Sequence, residues 1–220
     1  MSDTNEVAKA NVPVPQEIAE SNLAAMDIPI SYIPSLKITY KTSKHFEEGK
    51  AKLGDFFLNE QSLGSEIEVT ALGYRYQAMA RDKVTKEFQE TLILAESKTP
   101  FRQRTEYIQF VKENERKCNI IDGIDILLYL PKQNLFGVLF AKKKLQAGGL
   151  AILKVASKGN IAKIKTVPKE WKTFAWYILD VVPTAEVVLV EDAEEKLEIY
   201  TSQTTDGTFA EETETSGRQR

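Results

Sequence analysis

Lys142, Lys143 and Lys144 follow directly on a run that carries Phe136 and Phe140, and further along Trp171, Lys172, Phe174, Trp176 and Tyr177 crowd into seven positions. Between these clusters stand Lys154 and the pair Lys163 and Lys165, which on a strand point to one face because side chains alternate. Cations that track a phosphate backbone, interleaved with flat rings on which bases stack, are the two ingredients of single-stranded nucleic-acid binding. Each stacked base contributes about 1–3 kcal/mol, and the phosphate contacts make affinity fall steeply with salt. Arg75 and Arg81, expected on the open face of a bent strand, extend the set. The candidate binding residues are therefore Lys142, Lys143, Lys144, Lys154, Lys163, Lys165, Lys172, Arg75, Arg81, Phe140, Trp171 and Trp176. Half of a strand's rings face inwards, so at most two or three of Phe140, Trp171, Phe174 and Trp176 are expected to reach a base. Tyr74 and Tyr76 fall under the same limit.

Other chemistries find little to stand on. The chain has no G-x-x-x-x-G-K-[ST], no G-x-G-x-x-G and no G-x-S-x-G, so a glycine-loop phosphate site and a nucleophile elbow are unsupported. The one histidine, His45, sits beside Lys44 in what reads as a polar turn, where a solvated imidazole is expected. Asp122-x-x-Asp125 is the best acidic pair, but a metal-dependent nuclease wants an acid before the lysine on the next strand. Phe140-Ala141-Lys142 lacks that acid, and Ile121-Asp122-Gly123 reads instead as a turn feeding a central strand. Cys118, the only cysteine, excludes an intramolecular disulfide and reads as buried and inert. With one histidine and one cysteine, zinc chemistry has no ligand set. No cofactor and no catalytic residue are expected.

The elements that must position these residues read mainly as short strands between turn signals. Pro29 and Pro34 keep 28–36 extended. A strand is expected at Asp55–Leu58, closed by a polar turn over Asn59–Ser65. Ile67, Val69 and Ala71 alternate with polar neighbours, the period of a half-buried strand. Gly73 interrupts that alternation where a β-bulge would bend the strand. Beyond it, Tyr74, Tyr76 and Ala78 fall on one face, and Arg75, Gln77 and Arg81 on the other. Residues 88–95 form the partner strand. Thr99-Pro100 reads as a helix start, with Phe101, Ile108 and Val111 at helical spacing up to about Lys117. Strands return at 124–130 and 135–141, apolar on both faces and so expected in the centre of the sheet. Gly148-Gly149 opens an apolar stretch read as helix, 161–167 and 171–182 are the last strands, and Thr184 is taken to cap a helix through Tyr200. The fold class is thus mainly β with one or two helices, an OB-like bent sheet or barrel. A sandwich or an open α+β sheet also fits the pattern.

The 220 residues, 42% apolar and 28% charged, suit one globular domain with appendages. No apolar run approaches the ~20 residues of a membrane span, and no signal peptide is visible, so an intracellular chain is expected. The formal charge of −3 conceals an asymmetry. Residues 1–27 carry five acids against one base, and 28–131 carry fifteen of each. Residues 132–172 hold ten lysines against the single acid Glu170, and 184–220 hold ten acids against three bases. This is the footprint of an anion-binding face followed by an acidic segment. The organisation reads as an acidic disordered leader (1–27), a β domain (28–183), a C-terminal helix (184–200) and a disordered tail (201–220).

This layout resembles phage-encoded OB-fold single-stranded DNA-binding proteins, with a basic late half and an acidic C-terminus. The resemblance spans about residues 30–182. Lys52-Leu53-Gly54-Asp55-Phe56-Phe57 and Leu63-Gly64-Ser65-Glu66-Ile67 also look like the opening of small uncharacterised phage proteins. It implies non-enzymatic, sequence-independent single-stranded DNA binding in phage replication or recombination, in the host cytoplasm and away from membranes. It also implies replication proteins as partners of the acidic tail, and leaves homo-oligomerisation open. The tail departs from the pattern by ending Gly217-Arg218-Gln219-Arg220, so Phe209 with Glu211 and Glu212 is the better docking candidate. The alternative is a phage structural or assembly protein whose basic and acidic segments pair between subunits.

Overall fold

The computed structural model describes residues 32–171 and 174–202, apart from the side chains of Trp171 and Phe174. The expected leader and nearly all of the tail lie outside these residues, as does Lys172. In chain order the elements are β1 (Lys37–Ile38), α1 (Lys44–Glu47), β2 (Phe56–Leu58), β3 (Gln61–Gly64), β4 (Glu66–Asp82) and β5 (Phe88–Leu94). A 3-10 turn (Phe101–Gln103) leads to α2 (Thr105–Asn114), β6 (Cys118–Leu130) and β7 (Leu135–Lys142). A second 3-10 turn (Lys143–Leu145) leads to α3 (Gln146–Val155), β8 (Asn160–Trp171), β9 (Phe174–Val187) and α4 (Ala193–Ser202). The protein is mainly β. Its larger sheet runs β7-β6-β4-β8-β9, with β5 also paired to β4, and β1-β2-β3 form a small second sheet. The sheet is bent and open, with β7 and β9 at its ends, rather than closed into a barrel.

The bend falls where Gly73 pointed. The β4–β6 register steps from Ala71↔Leu128 to Gly73↔Leu127, leaving Leu72 as the extra residue of a bulge. Before the bulge Ile67, Val69 and Ala71 enter the main core, and after it Ala78 and Ala80 enter a second cluster with Phe101 and Phe110. The opposite face of β4 is not open, as the alternation suggested. Arg75 and Gln77 are buried, because α4 and the segment around Ile33 lie over that side of the sheet.

Several local readings shift for identifiable reasons. The turn after β2 is only Asn59 and Glu60, both at positive φ, so Gln61–Gly64 returns as a strand. Such a two-residue hairpin turn requires positive φ at both positions, and Glu60 gives no sequence cue for it. α2 begins after Arg104, not at Thr99, and buries Phe110 while Ile108 stays exposed. β7 is the last strand of its sheet, not a central one. Its outer edge is occupied by the extended segment before β1, where Leu36 N donates to Val138 O at 2.8 Å and Val138 N to Pro34 O at 2.9 Å. The stretch 184–187 continues β9, so the final helix starts only at Ala193 and includes Thr201 and Ser202. His45 belongs to α1 and stacks on Phe57, centroids 3.7 Å apart; burial lowers its pKa. α3 approaches the sheet closely because a Cβ on Gly148 would lie 2.5 Å from Leu179 Cβ, and one on Gly149 2.7 Å from Ala141 Cβ.

Candidate nucleic-acid interface

A cleft of about 90 Å³ opens across β5, β4, β6 and β7 towards the segment around β1. Alternation puts Met79 and Arg81 of β4, Ile121 of β6, and Phe140 and Lys142 of β7 on one face, and Phe88 stands directly opposite Arg81 on β5. Ser35, Lys37, Ile38 and Tyr40 close the far side, with Leu36, Leu139 and Leu145 beneath. Three cations (Lys37, Arg81, Lys142) and three rings (Tyr40, Phe88, Phe140) line the cleft, and no acid is among its lining residues. The Arg81 guanidinium lies 5.6 Å from the Phe88 ring centroid and its Nε donates to Lys86 O, which fixes its orientation. Among the described residues, neither Lys37 nor Lys142 has an acid within ion-pair distance. Tyr40 is held edge-on by Tyr177 at 5.5 Å. A low-polarity floor walled by cations and rings suits a ligand that is anionic along one side and flat and apolar along the other.

The candidate residues named from sequence do not converge on one surface. Arg81, Phe140 and Lys142 come together in this cleft. Lys143 and Lys144 follow Lys142 in the exposed 3-10 turn, Lys143 at positive φ, and the Lys144 ammonium lies 5.5 Å from the Trp176 ring centroid. Trp176 is half-buried on β9. Lys154 is exposed on α3. Lys163 and Lys165 do share the outward face of β8, but β4 and β9 lay acids beside them. Lys165 stands opposite Glu66 on one side and Asp180 on the other; Lys163 stands opposite Glu68 and reaches Glu66 at 3.3 Å. Lys132 meets Glu68 at 2.8 Å on the same surface. Much of the charge block is thus offset locally by register. Trp171 ends β8, and Lys172 lies outside the described residues. Lys37, Tyr40 and Phe88 were missed by sequence reasoning, since their block has zero net charge and only the tertiary fold brings them to Lys142.

Arg75 is the clear correction. It is 6% exposed, and its Nε lies 3.3 Å from Asp125 Oδ2. Its Nη1 donates to the Tyr200 carbonyl at 2.8 Å, and its guanidinium lies 4.5 Å from the Tyr200 ring centroid. The Tyr200 hydroxyl in turn donates to Asp125 O at 2.9 Å. Burial raises the Asp125 carboxyl to about 6, against the opposing pull of Arg75. Asp122 and Asp125 do not form a site together, because three residues along a strand they face opposite sides. Asp122 lies within β6, not in a turn, held by Arg102 at 2.9 and 3.0 Å and by the Tyr107 hydroxyl at 2.8 Å. Cys118 is buried.

Comparison with family models, curated proteins and solved structures finds no match to this chain. Among the described residues no helix is long and apolar enough to cross a membrane.

Proposed function

We propose that this protein binds single-stranded DNA without sequence preference and without catalysis, in phage replication or recombination. The observation that carries the reading is the acid-free cleft that joins Lys37, Arg81 and Lys142 to Tyr40, Phe88 and Phe140. Cations there meet phosphates, and the rings take bases that no complementary strand holds in a stack. A duplex keeps its bases stacked inside and offers the rings nothing. The phage setting and replication partners for the acidic tail follow from the resemblance alone. The alternative, an assembly protein with pairing between subunits, draws less support, because Lys163 already pairs with Glu66 of its own chain and Lys165 stands opposite Glu66 and Asp180. The test is a titration of a fluorescent single-stranded oligonucleotide beside a duplex of equal length at low salt. Tighter binding of the single strand is expected; no binding, or equal binding of the duplex, overturns the reading.

A further inference from the structure

Phe136, Val138, Phe140 and Lys142 stand at alternate positions of β7 and so form one row on one face. Phe140 and Lys142 open into the cleft, whereas the other half of the row is covered. Tyr200 of α4 packs in one cluster with Val138 and Phe136, and the Lys196 ammonium sits 5.9 Å from the Phe136 ring centroid. Asp125, directly opposite Phe140, pairs with Arg75, and that pair is closed over by Tyr200.

The cover is held chiefly through Tyr200. Of the ten residues of α4 only Tyr200 is buried, and a helix of that length does not stand alone in water. Its exposed residues include Glu194, Glu195 and Glu198, the charge sign of a phosphate backbone.

We propose that α4 is a displaceable cover, and that a single strand too long for the cleft displaces it and passes beside Ile33, which stays packed on Val138, to reach Phe136 and Arg75. This rests on the reading of the cleft as a single-strand site. Displacement exchanges an acidic helix for an acidic ligand, with Arg75 passing from the Tyr200 carbonyl to a phosphate.

The experiment uses the full chain carrying Gly73→Cys and Leu197→Cys in a Cys118→Ala background. A Cβ on Gly73 would lie 4.0 Å from Leu197 Cγ, near where a cysteine sulfur at position 197 stands, and formation of the bond on oxidation is verified by mass. Oligonucleotides of about 4 and about 16 nucleotides, the range of site sizes for a single fold, are titrated against the oxidised and reduced forms. The long strand is expected to bind the oxidised form roughly tenfold more weakly, the loss of about one stacked base, while the short strand binds both equally. Equal affinity of the long strand for both forms overturns the proposal. A short strand that binds neither form overturns the cleft reading itself and the proposal with it. Hydrogen exchange on the unmodified protein gives a check that needs no crosslink: the long strand raises exchange over residues 193–202, and unchanged or lowered exchange there overturns the proposal.

Discussion

Lys142→Ala should remove one phosphate contact and nothing else. Lys142 is half-buried at the end of β7, lines the cleft, and has no ion-pair partner among the described residues. Its loss strands no buried charge, and the effect on stability should stay within about 0.5 kcal/mol. Three cations line the cleft, so a strand laid through it neutralises three phosphates. Each phosphate contributes a slope of about −0.7 in log K against log salt for single strands. The unmodified protein should therefore show a slope of about −2.1, a loss of about 20-fold between 50 and 200 mM salt. Lys142→Ala should show about −1.4, a loss of about sevenfold over the same range. Fluorescence anisotropy of a labelled oligonucleotide of about 4 nucleotides, short enough to stay within the cleft, reads both slopes at several salt concentrations. Lys163→Ala is the matched control, since Lys163 already pairs with Glu66, and its slope should equal that of the unmodified protein. An unchanged slope for Lys142→Ala, or a reduced one for Lys163→Ala, refutes the placement of the phosphate path.

Arg75→Ala should cost about 3–5 kcal/mol of folding stability by chemical denaturation, because it leaves the buried Asp125 carboxylate without its cation. A loss below about 1 kcal/mol would refute the pairing of Arg75 with a buried Asp125 carboxylate. Asp125, raised by burial from 3.8 to about 6, binds a proton in the folded protein that the unfolded chain has already released. Its contribution to stability is therefore present at about pH 4, is lost as pH rises to about 6, and is level above that. Measured against Asp125→Asn, which cannot titrate, the stability of the unmodified protein should fall by about 2 kcal/mol from pH 4 to pH 7. The subtraction also cancels His45, whose pKa burial lowers, and a flat difference would contradict the raised carboxyl.

Legibility in the sequence followed the range of the forces involved. The alternation of Ile67, Val69 and Ala71 and the glycine that breaks it are local signals, and the bulge after Ala71 appears where they put it. The apolar run after Gly148-Gly149 is helical, with both glycines inside the helix because the sheet leaves no room for a Cβ there. The alternation of Arg75 and Gln77 with Tyr74 and Tyr76 does mark two faces of β4. Its polarity suggested an open side only because α4, 125 residues further along, supplies the cover.

By itself the sequence determined the class of fold, the place of the bend and the composition from which a nucleic-acid surface can be built. Those depend on side-chain period, on backbone freedom at single positions and on residue type. Only the tertiary structure decided which cations stay available. Strand register sets Glu66, Glu68 and Asp180 beside Lys163 and Lys165, and burial commits Arg75 to Asp125. The same folding carries Lys37 and Tyr40 across to Phe140 and Lys142. Charge counted along a chain is a sum over neighbours in sequence, whereas a phosphate responds to neighbours within a few ångströms in space.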